Sequence, residues 1–183
     1  MSVIQFQSTK EFVNMLAMYG QAGVWLLPGW QQNCALTADE YLDVRDAWEQ
    51  NGIAALDFDG QLHPTKKLAR MMHNAKHARS VIKFESNHQI QYYLLGPVDI
   101  LYLEKIEDVW SMRLCGADEG RKFVTERLKN EKEGLLVKMT LDDDEKPIKR
   151  IWKLNGSEEQ EAVLHEHMKL FYEHKWLKQR MTS

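Results

Sequence analysis

Apolar side chains recur every three or four residues in three segments near the N-terminus, a spacing that predicts amphipathic helices. The helices are expected at about 9–19, 37–51 and 65–78. The second begins with a capping box, since the Thr37 hydroxyl can accept from the backbone N–H of Glu40 while Glu40 reaches back. Gly52 tolerates the left-handed conformation and is expected to end this helix. Pro64 is expected to open the third, where its missing N–H costs nothing.

The same spacing identifies the side chains that are expected to face the core. They are Phe12, Leu16 and Tyr19 in the first helix, Tyr41, Val44 and Trp48 in the second, and Leu68, Met71, Met72 and Ala75 in the third. A short apolar run at 24–27 predicts a strand or a buried loop between the first two helices.

From Ser80 onward the apolar period falls to about two, and the segments are rich in β-branched and aromatic residues, as strands are. Four strands are expected at 81–85, 89–95, 98–103 and 109–115. Their connections are too short for the crossover that parallel strands need, so an antiparallel meander is predicted. A helix at about 118–130 and a hairpin of 135–141 with 148–154 are expected to follow.

Ser157 and Gln160 form a second capping box, which predicts a long C-terminal helix over about 157–180. Helices grouped apart from strands indicate the α+β class. We therefore expect a single domain over 1–183, with a helical part at about 1–78 and an antiparallel sheet at about 80–154. Helices are expected to pack on one face of that sheet.

Composition narrows the class of protein. Hydrophobic residues make up 44% of the 183 residues and the formal net charge is -3. These values exclude collagen-like, mucin-like and fully disordered chains, and they do not indicate nucleic acid as the main partner. No apolar run has the length of a membrane span and no signal-peptide pattern is present, so a cytoplasmic protein is expected. Cys34 and Cys115 lack metal or redox spacing and are expected to be reduced, partly buried thiols.

The segment 56–62 resembles the first motif of haloacid-dehalogenase-like phosphatases. That resemblance implies a nucleophile at Asp57, a general acid/base at Asp59 and a magnesium ligand at Asp142 or Asp143. However, Gln61 stands where the family has Thr or Ser, and an antiparallel meander lacks the parallel strands of that fold. The alternative interpretation, in which the aspartates stabilise a turn, is therefore favoured.

Other groups of polar residues do not match known metal sites. The acidic run at 142–145 lacks the central glycine of an EF-hand loop, so it is expected to be a polar hairpin tip. His165 and His167 would lie on nearly opposite faces of a helix, and His167 and His174 would be about 10 Å apart. We expect no metal, no cofactor and no catalytic residue, and therefore a protein that is not an enzyme.

Charge is separated along the chain. Residues 37–62 contain seven acidic side chains and one arginine, whereas residues 64–83 contain six basic side chains and no acid. The two oppositely charged helices are joined by a connector at 53–63, which is too long for a helix-turn-helix motif. Three alternatives remain open: mutual attraction of the helices, a partner on the basic face, or nucleic-acid binding through the helix at 65–78. The last would use Lys66, Lys67, Arg70 and Lys76.

Residues 36–85 resemble the EspG family of type VII secretion chaperones. The features that carry the likeness are the helix opened by Leu36-Thr37-Ala38-Asp39-Glu40, the turn at Asp59-Gly60, the helix with Leu68, Met71 and Met72, and the following strand. The resemblance implies a cytosolic, non-enzymatic protein that shields the helical tip of a secreted heterodimer.

Apolar residues occupy both alternating faces of the predicted meander, so both faces are expected to be covered, by helices of the chain or by a partner. We expect the partner to be a small helical secreted protein. The residues predicted to bind it on a sheet face are Tyr93, Leu95, Leu101 and Leu103. The sequence therefore favours a non-enzymatic chaperone or adaptor, with a phosphatase or a nucleic-acid-binding regulator as alternatives.

Overall fold

A computed structural model of the protein describes residues 3–19, 36–78, 80–86, 89–96, 99–130, 134–141 and 147–154. The helices are α1 (Thr9–Tyr19), α2 (Ala38–Gln50), α3 (Lys66–Lys76) and α4 (Ala117–Asn130). The strands are β1 (Ile4–Phe6), β2 (Ala54–Leu56), β3 (Leu62–Pro64), β4 (Ser80–Glu85), β5 (Gln89–Leu95), β6 (Ile100–Ile106), β7 (Val109–Cys115), β8 (Gly134–Leu141) and β9 (Pro147–Leu154).

Seven of the described strands form one antiparallel sheet in the order β1-β7-β6-β5-β4-β8-β9, and β2 pairs with β3 in a separate hairpin. The α+β class and the antiparallel meander are confirmed, with β4 to β7 as sequential neighbours. A tight turn joins β6 to β7, with Glu107 at φ 55°. Short connections of this kind permit antiparallel pairing only.

The predicted hairpin of β8 and β9 does form, but it extends the sheet beside β4 rather than beside β7. The place next to β7 is taken by β1, which pairs Phe6 with Trp110. Strand β1 was not predicted, because three residues are too few to show a period. Helix α4 therefore connects one side of the sheet to the other.

Both faces of the large sheet are packed. The first face carries a core cluster that includes Phe12 of α1, Trp48 of α2 and Leu68 of α3. The second face carries a smaller cluster that contains Val124 of α4, which is 1% exposed. Helices therefore lie on both faces of the sheet rather than on one, because the second face is also apolar and α4 covers part of it. The expectation that helices of the chain or a partner would cover both faces allowed for this arrangement.

The start of α2 was predicted correctly. The Thr37 hydroxyl accepts from the Glu40 backbone N–H, and the Glu40 carboxylate accepts from the Thr37 backbone N–H at 2.8 Å. The start of α3 was predicted incorrectly. Pro64 ends β3 opposite Ala54, and Thr65 caps the helix by accepting from the Leu68 N–H. Pro64 therefore belongs to the small hairpin rather than to the helix.

Several sequence predictions lie outside the described residues. They are the apolar run at 24–27, the thiol of Cys34, the acidic hairpin tip at 142–145, the histidines at 165, 167 and 174, and the C-terminal helix at 157–180. Within the described helices, none is long and apolar enough to cross a membrane.

Candidate binding surfaces

The four residues predicted to bind a partner do not share one face. Tyr93 pairs with Tyr102 and Leu94 with Leu101, so odd-numbered residues of β5 lie beside even-numbered residues of β6. Tyr93 and Leu95 therefore belong to the second face, and Leu101 and Leu103 to the first.

The prediction that these four residues share a single face is therefore wrong. Leu95 pairs with Ile100, so Leu101 and Leu103 point to the opposite face from Tyr93 and Leu95. All four side chains are also buried, with 6% exposure or less. Their role in binding remains a prediction.

A hydrogen-bonded network occupies one end of the second face. The Glu104 carboxylate accepts from Gln91 Nε2 and from the Tyr102 hydroxyl, each at 2.8 Å, and also from Gln89. Burial, followed by the nearby Tyr93 and the hydrogen bond to Glu104, raises the pKa of Tyr102. These polar groups hydrogen-bond to one another, so their presence on this part of the face does not require a ligand.

Asp57 organises the turn between β2 and β3. Its Oδ1 accepts from the backbone N–H groups of Asp59 and Gln61 at 2.9 and 2.8 Å, and its Oδ2 lies 2.7 Å from His63 Nε2. The hydrogen bond to His63, followed by that from Gln61, lowers the pKa of Asp57. The contacts match the turn-stabilising interpretation of the sequence.

This turn does not resemble a phosphoryl-transfer site. Asp57 follows a strand of a two-stranded antiparallel hairpin, and both of its carboxylate oxygens have partners within the turn. The described ranges also contain no group of three or more His, Cys, Asp or Glu side chains placed to hold a metal ion.

Phe58 lies at the tip of the same turn and is fully exposed, with a relative exposure of 111%. The backbone around it is held by the Asp57 contacts and by a Gly60 N–H to Asp57 O hydrogen bond of 3.1 Å. Gly60 has φ +75°, which favours glycine. A large aromatic side chain is thus presented on an ordered turn between two carboxylates. The sequence motif indicated the aspartates but not Phe58, because a short motif does not show whether a side chain is exposed.

Helix α2, which contacts β2, presents a second acidic surface. Its exposed acidic side chains are Asp39, Asp43, Asp46 and Glu49. Leu42 lies among them at 47% exposure and Tyr41 at 37%. Asp46 is paired with Arg45 of the same helix at 2.8 Å. Among the described residues no ion pair joins α2 to α3, so the basic helix does not neutralise the other acids.

An ion pair links the N-terminus of α2 to α1, and its contribution to stability depends on pH. Lys10 Nζ lies 2.7 and 2.6 Å from the two oxygens of Glu40. The hydrogen bond from Lys10, followed by those from Thr37, lowers the pKa of Glu40 to about 2. Because the folded-state pKa is depressed, the stabilisation is present above the ordinary value of 4.5 and is lost as the pH falls towards 2.

We expect Lys10→Gln to raise the pKa of Glu40 towards its ordinary value, because the strongest donor to the carboxylate is removed. Carboxyl-detected NMR titration measures this directly. Lys122→Gln, which changes a lysine paired with Glu126 on α4, is the control and leaves Glu40 unchanged. A wild-type Glu40 that titrates near 4.5 would contradict the ion pair.

Helix α3 presents the basic surface that the sequence predicted. Its exposed polar side chains are Lys66, Arg70, His73 and Lys76, followed by His77 at the C-cap. The rings of His73 and His77 lie 4.5 Å apart. The β2–β3 hairpin fills the connector between α2 and α3, so the two helices are not joined by the short turn of a helix-turn-helix motif.

No protein-family model and no curated protein sequence matches this chain. The clearest unexplained surface features of the described residues are the exposed Phe58 among acidic groups and a cationic cavity beside α3.

Proposed function

We propose that this protein is a non-catalytic binding protein that docks a helical segment of a protein partner through the β2–β3 hairpin tip and the exposed face of α2. The observation that carries the proposal is the full exposure of Phe58 on an ordered turn. The partner's contact face combines basic side chains with apolar ones.

An aromatic anchor on a held turn suits protein recognition. Burying a phenylalanine side chain contributes about 1.5–3 kcal/mol, and aromatic residues are enriched at interface centres. The Asp57 side chain accepts two backbone N–H groups of the turn, so the tip loses little conformational freedom on binding. Burial of Phe58 in an interface would therefore contribute most of its free energy to binding, because little is lost in ordering the turn.

The charges around Phe58 and Leu42 indicate the charge expected on the partner's contact surface. Phe58 lies between Asp57 and Asp59, and Leu42 lies between acidic residues on α2. Complementary charge steers association and disfavours acidic partners, and salt screens the effect. A basic amphipathic helix matches both the apolar and the acidic groups.

The likeness to EspG-type chaperones supports the same role, because residues 36–85 include both α2 and the hairpin. That likeness extends the proposal to a cytoplasmic chaperone or adaptor for a small helical client of type VII secretion.

Phe58→Ala is expected to weaken binding of the client about tenfold to a hundredfold, as loss of one buried aromatic side chain predicts. The probes are the purified small helical proteins encoded by the neighbouring genes, and calorimetry measures their affinity. Because Phe58 is fully exposed, the variant is expected to unfold at nearly the wild-type urea concentration.

The matched control is Ile106→Ala, which removes an apolar side chain of 50% exposure from the β6–β7 hairpin. It is expected to bind as the wild type does. An equal loss in both variants, or unchanged affinity in Phe58→Ala, would remove the hairpin tip from the interface. No complex with any of these proteins would contradict the client assignment.

Two designed helical peptides test the charge argument without a known client. They share one stripe of leucines, and its flanks carry lysines in one peptide and glutamates in the other. We expect only the lysine peptide to bind, with an affinity that falls as salt rises. Asp43→Asn should weaken it, and equal binding of the two peptides would contradict the proposal.

A further inference from the structure

A cavity of about 300 Å³ lies between α3 and the neighbouring ends of the sheet strands. It is lined by charged groups from Lys67, Arg70 and Asp99, and by the less polar side chains of Met71, Leu114 and Cys115. Its size is that of a site for a small molecule. The sequence predicts Lys67 and Arg70 on a basic helix, but it does not predict the cavity.

Arg70 is held in place by a buried carboxylate. Its guanidinium forms an ion pair with Asp99, whose side chain is only 12% exposed. The Asp99 backbone N–H donates to Asn74 Oδ1 at 3.3 Å, and Asn74 Nδ2 donates to the Arg70 carbonyl at 3.1 Å. Asn74 itself is 1% exposed. The arginine is therefore positioned before any ligand arrives, while four of its five N–H donors remain outside the Asp99 hydrogen bond.

Lys67 supplies the second cation of the cavity. Its Nζ donates to the Val3 carbonyl at 3.3 Å, and burial lowers its pKa. Two cations against the single carboxylate of Asp99 leave the lining with a net positive charge. An anion that enters would therefore meet a compensating charge.

We propose that this cavity binds the carboxylate of a small monoanion that carries a short branched apolar group. The carboxylate lies against Arg70 and Lys67, and the apolar group lies against Leu114, which is partly exposed. A single negative charge matches the net charge of the lining, and the guanidinium fork fits a carboxylate. The inference is independent of the hairpin surface proposed above.

The carboxylate has two possible sources, a free short-chain acid or the C-terminal residue of a polypeptide. Isovalerate represents the first and N-acetyl-leucine the second, while N-acetyl-leucinamide lacks the charge and inorganic phosphate lacks the apolar group. Each compound is titrated into the full-length protein, and NMR follows the amide chemical shifts to detect binding. We expect saturable shifts around the cavity with one or both acids and none with the amide.

Arg70→Gln and Lys67→Gln are each expected to weaken the acids about tenfold, as loss of one charge-assisted hydrogen bond implies. Lys67→Gln is the cleaner test of the two, because Arg70→Gln also removes the ion pair with Asp99. Lys76→Gln, on the same helix but outside the cavity lining, is the matched control and binds as the wild type does.

Three results would overturn the inference. They are the absence of saturable shifts with both acids, equal binding of N-acetyl-leucinamide, and an equal loss in Lys76→Gln. Tighter binding of phosphate than of either acid would overturn the assignment of the ligand class. Since none of these measurements involves Phe58 or the protein client, failure here is distinct from failure of the proposed docking role.

Discussion

Trp48→Ala is expected to lower the free energy of unfolding by about 3–5 kcal/mol, the usual loss for a fully buried tryptophan. Trp48 is 1% exposed and belongs to the core cluster on the first face of the sheet. Its ring contacts Phe6 edge to face, with centroids 6.5 Å apart. The substitution therefore removes packing between α2 and the edge strand β1.

The same substitution also removes a buried hydrogen bond. Trp48 Nε1 donates to Glu11 Oε1 at 2.6 Å, and Glu11 is only 7% exposed. Its other oxygen accepts from the Gln7 backbone N–H at 2.7 Å. A buried carboxylate that loses a donor keeps its desolvation cost, so the loss is expected to lie towards the upper end of the range.

Urea unfolding followed by circular dichroism measures the effect, and a midpoint shift of about 1–2 M is expected. Tyr41→Ala on the same helix is the control, because its side chain is 37% exposed, and it should cost about 1 kcal/mol or less. If Trp48→Ala does not fold, Trp48→Phe retains part of the packing and remains measurable. Equal costs for Tyr41→Ala and either Trp48 variant would contradict the described core.

Gly96→Ala is expected to destabilise the fold by about 1–3 kcal/mol, the cost of forcing extra volume into a packed site. A Cβ at Gly96 would lie 2.4 Å from Asn74 Oδ1 and 3.0 Å from both Asn74 Cβ and the Asn74 carbonyl oxygen. Asn74 cannot move away freely, because its amide joins the Arg70 carbonyl to the Asp99 N–H. The turn after β5 and helix α3 would have to separate.

Gly116→Ala provides the matched control for the same chemical change. A Cβ at Gly116 would meet nothing within 4 Å. Gly116 precedes α4 and its carbonyl accepts from the Gly120 N–H at 2.9 Å, so the substitution costs only the difference between a glycine and an alanine N-cap, about 1 kcal/mol or less. Thermal unfolding of both variants gives the comparison. A Gly96→Ala protein as stable as the wild type would show that α3 and this turn are not in contact as described.

Features that depend on a few neighbouring residues were predictable from sequence. The capping box of Thr37 and Glu40 formed as expected, and Leu68, Met71, Met72 and Ala75 are all buried on α3. The turn at Asp57 was also interpreted correctly. In each case the contacts arise within one helical turn or one short loop, so the order of residues specifies them.

The candidate sites were less predictable. The four sheet residues expected to bind a partner were assigned to one face, and the register of β5 against β6 separates them into two pairs. Phe58 carried no periodic signal, because a single exposed residue in a turn has no repeat to detect. The cavity beside α3 joins Arg70 to Asp99, which lies 29 positions later, so no local motif contains it.

Local order along the chain was enough to specify the α+β class, the antiparallel meander and the core side of α3. Hydrophobic periodicity and short connections act over distances that the printed residues define. The position of β1 beside β7, the pairing of β8 with β4, the cover on the second face and the grouping of Arg70 with Asp99 came from packing between distant segments. Such contacts depend on which apolar surfaces are still exposed once the helices and strands have formed. Several segments can compete to cover those surfaces, and the residues of any one segment do not show which of them succeeds.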